Sequence, residues 1–203
     1  TYEASGLLQG DEGNDYLEAN YCKNTTLEGG NGNDKLTGYV DNWFLQKVGE
    51  SLGMSWSFYG GNGDDQLNVI GYPHRYYGIT SILLDGGEDN DTLQLSSYDN
   101  DSYYTFAHAT LIGGSGEDTL TASNVLDLTY TGGEGSDKFV LTATQYKALD
   151  KGTLGFGSGS DLVSVTAQAV VISDFVAGEG GDILDINDLI KNAAVGYEGN
   201  NPF

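Results

Sequence analysis

Residues 29–37 read GGNGNDKLT, and residues 60–68 repeat the pattern as GGNGDDQLN. Both follow the template G-G-x-G-x-D-x-U-x, in which U is a large apolar residue. Residues 113–121 (GGSGEDTLT) and 132–140 (GGEGSDKFV) follow the same template. A nine-residue pattern that recurs along one chain indicates a repeat architecture, in which each unit buries its apolar face against the next unit.

Four imperfect copies extend the pattern to both sides: 10–18 (GDEGNDYLE), 86–94 (GGEDNDTLQ), 156–164 (FGSGSDLVS) and 177–185 (AGEGGDILD). The sixth-position aspartates of the eight copies are Asp15, Asp34, Asp65, Asp91, Asp118, Asp137, Asp161 and Asp182. Successive aspartates are 19 to 31 residues apart, and the shortest spacing is close to two nonapeptides. We therefore expect one glycine-rich turn per coil, with the other half-turn having lost the motif, as in residues 22–28.

The residue types of the template suit calcium. Glycines allow positive φ and close backbone approach, so peptide carbonyls can turn inward beside the carboxylate of the sixth position. Ca²⁺ takes six to eight oxygen ligands, and two stacked turns offer that many where one does not. The x-U-x segment predicts a short strand whose apolar eighth residue points into the molecule. These eighth residues are Leu17, Leu36, Leu67, Leu93, Leu120, Phe139, Val163 and Leu184.

The overall composition also indicates bound cations. The chain has 203 residues, with 30 acidic and 8 basic side chains and a net charge of −22. So much negative charge opposes a compact shape and repels nucleic acid. Disorder fits poorly with 14 Tyr, 7 Phe and 2 Trp. Cys22 is the only cysteine, so no disulfide can form within the chain, and no stretch is long and apolar enough for a membrane span.

On these motifs the sequence resembles the repeats-in-toxin (RTX) family of calcium-binding proteins, from about residue 10 to residue 190. The resemblance implies an all-β fold, a right-handed parallel β-roll (β-solenoid) with calcium-binding turns on one edge and insertions on the other. We expect residues 1–190 to form the roll, and residues 191–203 to begin a truncated C-terminal cap and export region. Residues 171–186 are similar to the closing coils of proteins exported by type I secretion, which implies a piece from just before the C-terminus.

The resemblance also implies the calcium ligands, and up to about seven ions. Carbonyls of positions one and three and the Asp of a leading turn would face carbonyls of positions two and four and the Asp of the next turn. Gly29, Asn31 and Asp34 would then face Gly61, Gly63 and Asp65. The implied metal residues are Gly10, Glu12, Asp15, Gly29, Gly30, Asn31, Gly32, Asp34, Gly60, Gly61, Asn62, Gly63, Asp65, Gly86, Gly87, Glu88, Asp89, Asp91, Gly113, Gly114, Ser115, Gly116, Asp118, Gly132, Gly133, Glu134, Gly135, Asp137, Gly157, Ser158, Gly159, Asp161, Gly178, Gly180 and Asp182.

The segments between motifs predict insertions on the other edge. Residues 41–52 and 142–151 are expected to form short helices. Seven aromatic residues lie in insertions that follow successive coils: Trp43, Trp56, Tyr72, Tyr76, Tyr77, Tyr103 and Tyr104. They predict either an exposed cluster that binds a sugar or a partner protein, or rings that pack on one another and cover apolar surface.

No catalytic motif stands out, and His74 and His108 are the only histidines, so we expect no enzyme activity in this chain. The expected function is a calcium-dependent folding, stabilising and export module of a large secreted bacterial surface protein, an adhesin. The alternatives are the non-catalytic C-terminal domain of a secreted hydrolase (protease or lipase), and a surface-layer or carbohydrate-binding module. The expected partners are calcium ions, the type I secretion machinery and a cell-surface glycan or protein.

Overall fold

The computed structural model describes residues 5–41, 54–72, 80–97, 106–142 and 170–188. Within these ranges the chain forms fourteen strands and no helix long and apolar enough to cross a membrane. The strands are β1 Ser5–Glu12, β2 Tyr16–Asn20, β3 Asn24–Asn31, β4 Lys35–Asp41, β5 Met54–Asn62, β6 Gln66–Tyr72, β7 Thr80–Glu88, β8 Thr92–Ser97, β9 Phe106–Ser115, β10 Thr119–Ala122, β11 Val125–Glu134, β12 Lys138–Leu141, β13 Val170–Ile172 and β14 Ile183–Asp185.

The strands form two parallel sheets. One contains the odd-numbered strands in the order β1-β3-β5-β7-β9-β11-β13, and the other contains the even-numbered strands in matching order. One odd strand, the glycine-rich turn after it and the following even strand make up one coil, so seven coils stack along the molecule. We number the coils 1 to 7 and call the space between neighbouring coils a gap, numbered 1 to 6. The expected parallel β-roll is confirmed.

The hydrophobic core lies between the two sheets. In β5, Met54, Trp56 and Phe58 are buried while Ser55 is exposed, which is the alternation of a strand with one inner face. The eighth-position residues of the inner coils are fully buried as expected: Leu36, Leu67, Leu93, Leu120 and Phe139. At the ends of the stack, Leu17 is partly buried and Leu184 is 43% exposed.

A tryptophan widens the core in coil 3. Trp56 is fully buried, its ring stacks on Phe58 with centroids 6.0 Å apart, and its indole N–H donates to the carbonyl oxygen of Cys22 (3.2 Å). Gly38 in β4 leaves the space for both rings, because a Cβ there would collide with them. Trp56 is therefore a core residue of β5, which contradicts the exposed-cluster alternative for this ring and agrees with the alternative of packed rings. Of the other six aromatic residues, Tyr72 ends β6 and the remaining five lie outside the described residues.

The two edges of the roll differ in their connections. Each glycine-rich turn leads from an odd strand to an even strand, and each return connection leads from an even strand to the next odd strand. The long return connections are residues 42–53, 73–79, 98–105 and 142–169, and the strands that flank them show that each begins and ends at the edge without the motif. The two helices expected at 41–52 and 142–151 fall outside the described residues, except that Asp41 ends β4.

The copy at 156–164 does not form a coil of the stack between coils 6 and 7. Strand β11 pairs directly with β13, and β12 pairs directly with β14. The expectation that Asp161 stands between Asp137 and Asp182 is therefore wrong. The direct pairing of these strands leaves no place for a further coil between coils 6 and 7. Calcium binding by Gly157, Ser158, Gly159 and Asp161 lies outside the described residues and stays a prediction.

Candidate calcium sites

The glycine-rich turns stack along one edge of the roll. Each odd strand of coils 1 to 6 ends at the third position of the motif, and the even strand begins at the seventh. Glycines at the second and fourth positions have positive φ, as at Gly30 (115°) and Gly32 (125°). Asp11 (72°) and Asp89 (75°) also adopt positive φ where they replace these glycines, which is a conformation that Asp tolerates better than most residues.

The sixth-position aspartates form a continuous ladder along this edge. In each gap, the backbone N–H of one Asp donates to Oδ1 of the Asp in the following coil. The bonds run from Asp15 to Asp34 (2.8 Å), Asp34 to Asp65 (2.7 Å), Asp65 to Asp91 (2.8 Å), Asp91 to Asp118 (2.7 Å), Asp118 to Asp137 (3.0 Å) and Asp137 to Asp182 (3.0 Å). The turns are therefore held in register by the same side chains that the motif offers to a cation.

The second carboxylate oxygen of this ladder is buried and has no hydrogen-bond partner. This holds for Oδ2 of Asp15, Asp34, Asp65, Asp91, Asp118 and Asp137. Burying a charge without a partner costs free energy of folding. A row of six such oxygens would therefore be stabilised by a positively charged partner. The described residues contain no group of three or more His, Cys, Asp or Glu side chains suited to a metal. A cation between the coils would therefore depend on backbone carbonyls for most of its ligands.

The first glycine of each turn leaves space beside this oxygen. A Cβ on Gly29 would meet Oδ2 of Asp34 and the carbonyl oxygen of Gly60 in the following coil. The N–H of Gly32 donates to the carbonyl oxygen of Asn62 (2.8 Å), also in the following coil. Carbonyls of the first and third positions therefore point toward the preceding coil.

Carbonyls of the second and fourth positions point the other way. A Cβ on Gly61 would meet the carbonyl oxygen of Gly30, and a Cβ on Gly63 would meet that of Gly32, each in the preceding coil. The pairing implied by the resemblance is reversed, because positive φ at these two positions sets the direction of the peptide planes. The residues that share gap 2 are Gly30 and Gly32 of coil 2 and Gly60 and Asn62 of coil 3, together with Oδ2 of Asp34. These five carbonyl and carboxylate oxygens are the ligand type that Ca²⁺ prefers, and at least one further oxygen would complete its six to eight ligands.

Burial raises the pKa values of the inner aspartates in the ladder. It raises the pKa of Asp91 to about 8, and those of Asp65 and Asp118 to about 6. Burial also raises the pKa of Asp34 and of Asp137. Neighbouring aspartates add to the effect, as Asp118 does for Asp91, because like charges disfavour ionisation. Without a cation, the stack therefore favours protonated aspartates, whereas a bound cation would favour the ionised form.

A second ladder that the sequence reasoning missed runs along the fifth position. Oδ1 of Asn14 accepts the N–H of Asn33 (2.9 Å), and Oδ1 of Asn33 accepts that of Asp64 (3.3 Å). The series continues to Asn90 (3.0 Å) and Glu117 (2.8 Å). These bonds run opposite to the Asp ladder, since here the preceding coil supplies the acceptor. The recurrence of Asn or Asp at this position in the first four copies was the signal available in the sequence.

The predicted site residues of coils 1 to 6 are thus brought together on one edge, whereas the last turn differs. Asp182 joins the ladder as expected. A Cβ on Gly178 or Gly180 would meet nothing within 4 Å, so these glycines do not stack against coil 6. His108 lies on the outer face of the odd-strand sheet, with Nδ1 2.9 Å from Oδ2 of Asp127, and His74 lies outside the described residues.

A comparison with known families identifies the repeat type of three of these turns. A family model described as RTX calcium-binding nonapeptide repeat (4 copies) matches residues 23–42, 57–69 and 108–124, which contain the turns of coils 2, 3 and 5. No curated protein and no solved structure matches the chain. RTX repeats bind Ca²⁺ and are typical of secreted bacterial proteins. The chain therefore carries RTX calcium-binding nonapeptide repeats of the hemolysin type.

Proposed function

We propose that this chain is a calcium-dependent folding, stabilising and export module of a large secreted bacterial surface protein. The observation that carries the proposal is the row of six buried Oδ2 atoms without a hydrogen-bond partner. Ionised and unpaired, these carboxylates oppose stacking of the coils. Ca²⁺ in the gaps compensates their charge, so the free energy of calcium binding becomes free energy of folding.

The net charge of −22 supports the role in export. At low calcium concentration the repulsion between acidic side chains keeps the chain extended, which suits passage through a type I exporter. Calcium outside the cell then lets the coils stack. The module thus changes from an extended chain that can be exported to a folded roll. The calcium concentration on each side of the envelope determines which of the two forms is present.

A calcium titration tests this function. We expect far-UV circular dichroism to change from a disordered to a β-rich spectrum as Ca²⁺ is added. Trp56 reports on the core at the same time, because it is fully buried in the folded roll. In a Trp43→Phe variant it is the only tryptophan, and its emission should shift to shorter wavelength with the same calcium midpoint.

Magnesium serves as the control for specificity. Mg²⁺ demands near-ideal octahedral geometry and gives up its water reluctantly, so it should not produce the β-rich spectrum at equal concentration. A β-rich spectrum and a blue-shifted Trp56 emission in excess EDTA at neutral pH would contradict the proposed function.

We further propose that the module acts at the cell surface in adhesion and without catalysis. The ladder carboxylates are enclosed between coils, and His108 lies exposed with Asp127 beside it. Both observations favour a scaffold over an active site. Purified chain should bind to cells or to a glycan array in calcium and lose that binding in EDTA. Equal binding under both conditions would count against a role of the folded roll in adhesion.

A further inference from the structure

The last turn of the stack is built differently from the other six. Asp182 follows Asp174 by eight residues, whereas Asp137 follows Gly132 by five. Tyr130 pairs with Ile172, so continuing the register places Asp174 beside Gly132. Coil 7 therefore has an aspartate at the first position of its turn, where coils 1 to 6 have glycine, and three additional residues before its ladder aspartate.

The carboxylate of Asp174 bonds to the backbone of coil 6. Its Oδ1 accepts the N–H of Gly132 (3.0 Å), and its Oδ2 accepts the N–H of Gly133 (2.8 Å). In gaps 1 to 5 a first-position carbonyl of the following coil approaches the first glycine, next to the unpartnered Oδ2. At Gly132 the nearest atoms all belong to Asp137. In gap 6, no first-position carbonyl of coil 7 approaches the first glycine as closely as in the other gaps.

Asp182 differs from the other ladder aspartates as well. Its Oδ1 accepts the N–H of Asp137, and its Oδ2 accepts the N–H of Val176 in its own turn (2.7 Å). The N–H of Asp182 in turn donates to the carbonyl oxygen of Val176 (2.7 Å). Ser136 ties the same turn to coil 6 through its hydroxyl, which donates to the carbonyl oxygen of Gly181 (2.7 Å).

We infer that the row of calcium sites ends at gap 5, and that gap 6 is closed by hydrogen bonds that backbone N–H groups donate to Asp174 and Asp182, in place of a cation. Backbone N–H groups carry partial positive charge and here satisfy carboxylate oxygens that a metal would otherwise hold. Gap 6 retains Oδ2 of Asp137, as each of gaps 1 to 5 retains one such oxygen. Gly178 and Gly180 do not stack against coil 6, however, and Asp174 stands where the first glycine would be. Coil 7 therefore does not supply the carbonyls that complete a set of oxygen ligands in the other gaps. The inference rests on the proposed function, because it contrasts gap 6 with calcium sites in gaps 1 to 5.

Anomalous diffraction from crystals of the unmodified chain grown with Tb³⁺ as a calcium analogue tests the inference without any variant. We expect peaks in gaps 1 to 5 beside the ladder aspartates and none between Asp137 and Asp182. A peak in gap 6 together with peaks upstream overturns only this inference. The absence of ions from every gap overturns the calcium row itself, and with it the contrast drawn here.

Calorimetric counting of Ca²⁺ in two matched variants gives an independent measurement. Asp182→Asn should bind as many ions per chain as the unmodified chain, because its carboxylate holds N–H groups. Asp118→Asn, the same chemical change in the middle of the row, should lose at least one ion. Loss of an ion in Asp182→Asn equal to that in Asp118→Asn contradicts the inference.

Discussion

At the scale of single residues, the first glycine of each turn is required by what it stacks against and not by its φ angle. A Cβ on Gly60 would meet Oδ2 of Asp65 and the carbonyl oxygen of Gly86. Gly60→Ala should therefore push two coils apart and lower the free energy of unfolding by about 1–3 kcal/mol, as overpacking does elsewhere. Urea unfolding in saturating calcium measures the change.

Gly6→Ala is the matched control for this substitution. Gly6 lies in β1, and a Cβ there would meet nothing within 4 Å. The control should leave both the stability and the calcium midpoint unchanged. If Gly60→Ala behaves like Gly6→Ala, the close approach between the coils does not determine stability.

The buried aspartates predict a pH dependence of the metal-free chain. An unfolded Asp titrates near 3.8, whereas burial raises the pKa of Asp91 to about 8 in the stack. The folded state binds more protons between these values, so its stability is highest below about pH 4 and is lost as the pH rises toward 8. In EDTA, the β signal in circular dichroism should therefore increase as the pH is lowered from 9 to 5.

The substitution Asp91→Asn checks the origin of this effect. Its side chain is neutral at every pH, so the variant should show a smaller pH dependence than the unmodified chain in EDTA. A β signal that grows as the pH rises in EDTA would show that burial of the carboxylates does not govern folding.

At the scale of the elements, the fifth-position ladder fixes the turns by hydrogen bonds that need no metal. Oδ1 of Asn90 accepts the N–H of Glu117, and Asn90 itself donates to Asp64. Asn90→Ala should lower the stability of the calcium-loaded roll by about 0.5–1.5 kcal/mol, the usual net worth of such a bond. Asn90→Asp keeps the acceptor for Glu117 but loses the side-chain donor to Asp64 and places two carboxylates side by side, so it should not restore the stability.

The control for the substitution in the second ladder is Asn62→Ala, at the end of β5. Asn62 occupies the third position, is exposed, and its amide donates to the side chain of Asn31. Asn62→Ala should cost less than Asn90→Ala in the same thermal unfolding experiment. Equal losses of stability would mean that the third-position and fifth-position side chains contribute equally to the stability of the roll.

The strands and turns of the inner coils follow from the sequence, since the glycines, the aspartate and the apolar eighth residue each determine one local feature. Leu36 and Leu67 are buried as that pattern predicts. The direction of the carbonyls at Gly30 and Gly60 did not follow, because it depends on peptide-plane orientation between coils. Trp56 was misplaced because its space comes from Gly38, a distant residue in sequence that no local pattern connects with it.

At the scale of the whole molecule, each inner aspartate belongs to two gaps. Oδ1 of Asp118 accepts the N–H of Asp91, and the N–H of Asp118 donates to Asp137. Asp15 takes part only in gap 1. Asp118→Ala should therefore raise the calcium midpoint for folding more than Asp15→Ala, because a central defect also divides the stack into two parts. Equal midpoints for the two variants would argue against coupling between coils.

The number of coils could not be read from the motif alone. The copy at 156–164 resembles its neighbours, yet coil 6 stacks directly on coil 7. The last turn shows the opposite: Gly178 and Gly180 match the motif but do not stack, while Asp174 outside the motif holds the backbone of coil 6. Each contact between coils involves residues of two different turns. A single nine-residue pattern describes only one of these turns, so it does not show which turns stack.

The parallel pairing of every strand has a mechanical consequence. Hydrogen bonds between coils point along the axis of the stack, so a load applied to its two ends passes with equal force through all six gaps, as through links joined in series. The weakest link then sets the force at which the stack opens, and additional coils add length without adding strength. Opening the link between Asp15 and Asp34 frees 19 residues, roughly 60 Å of extended chain.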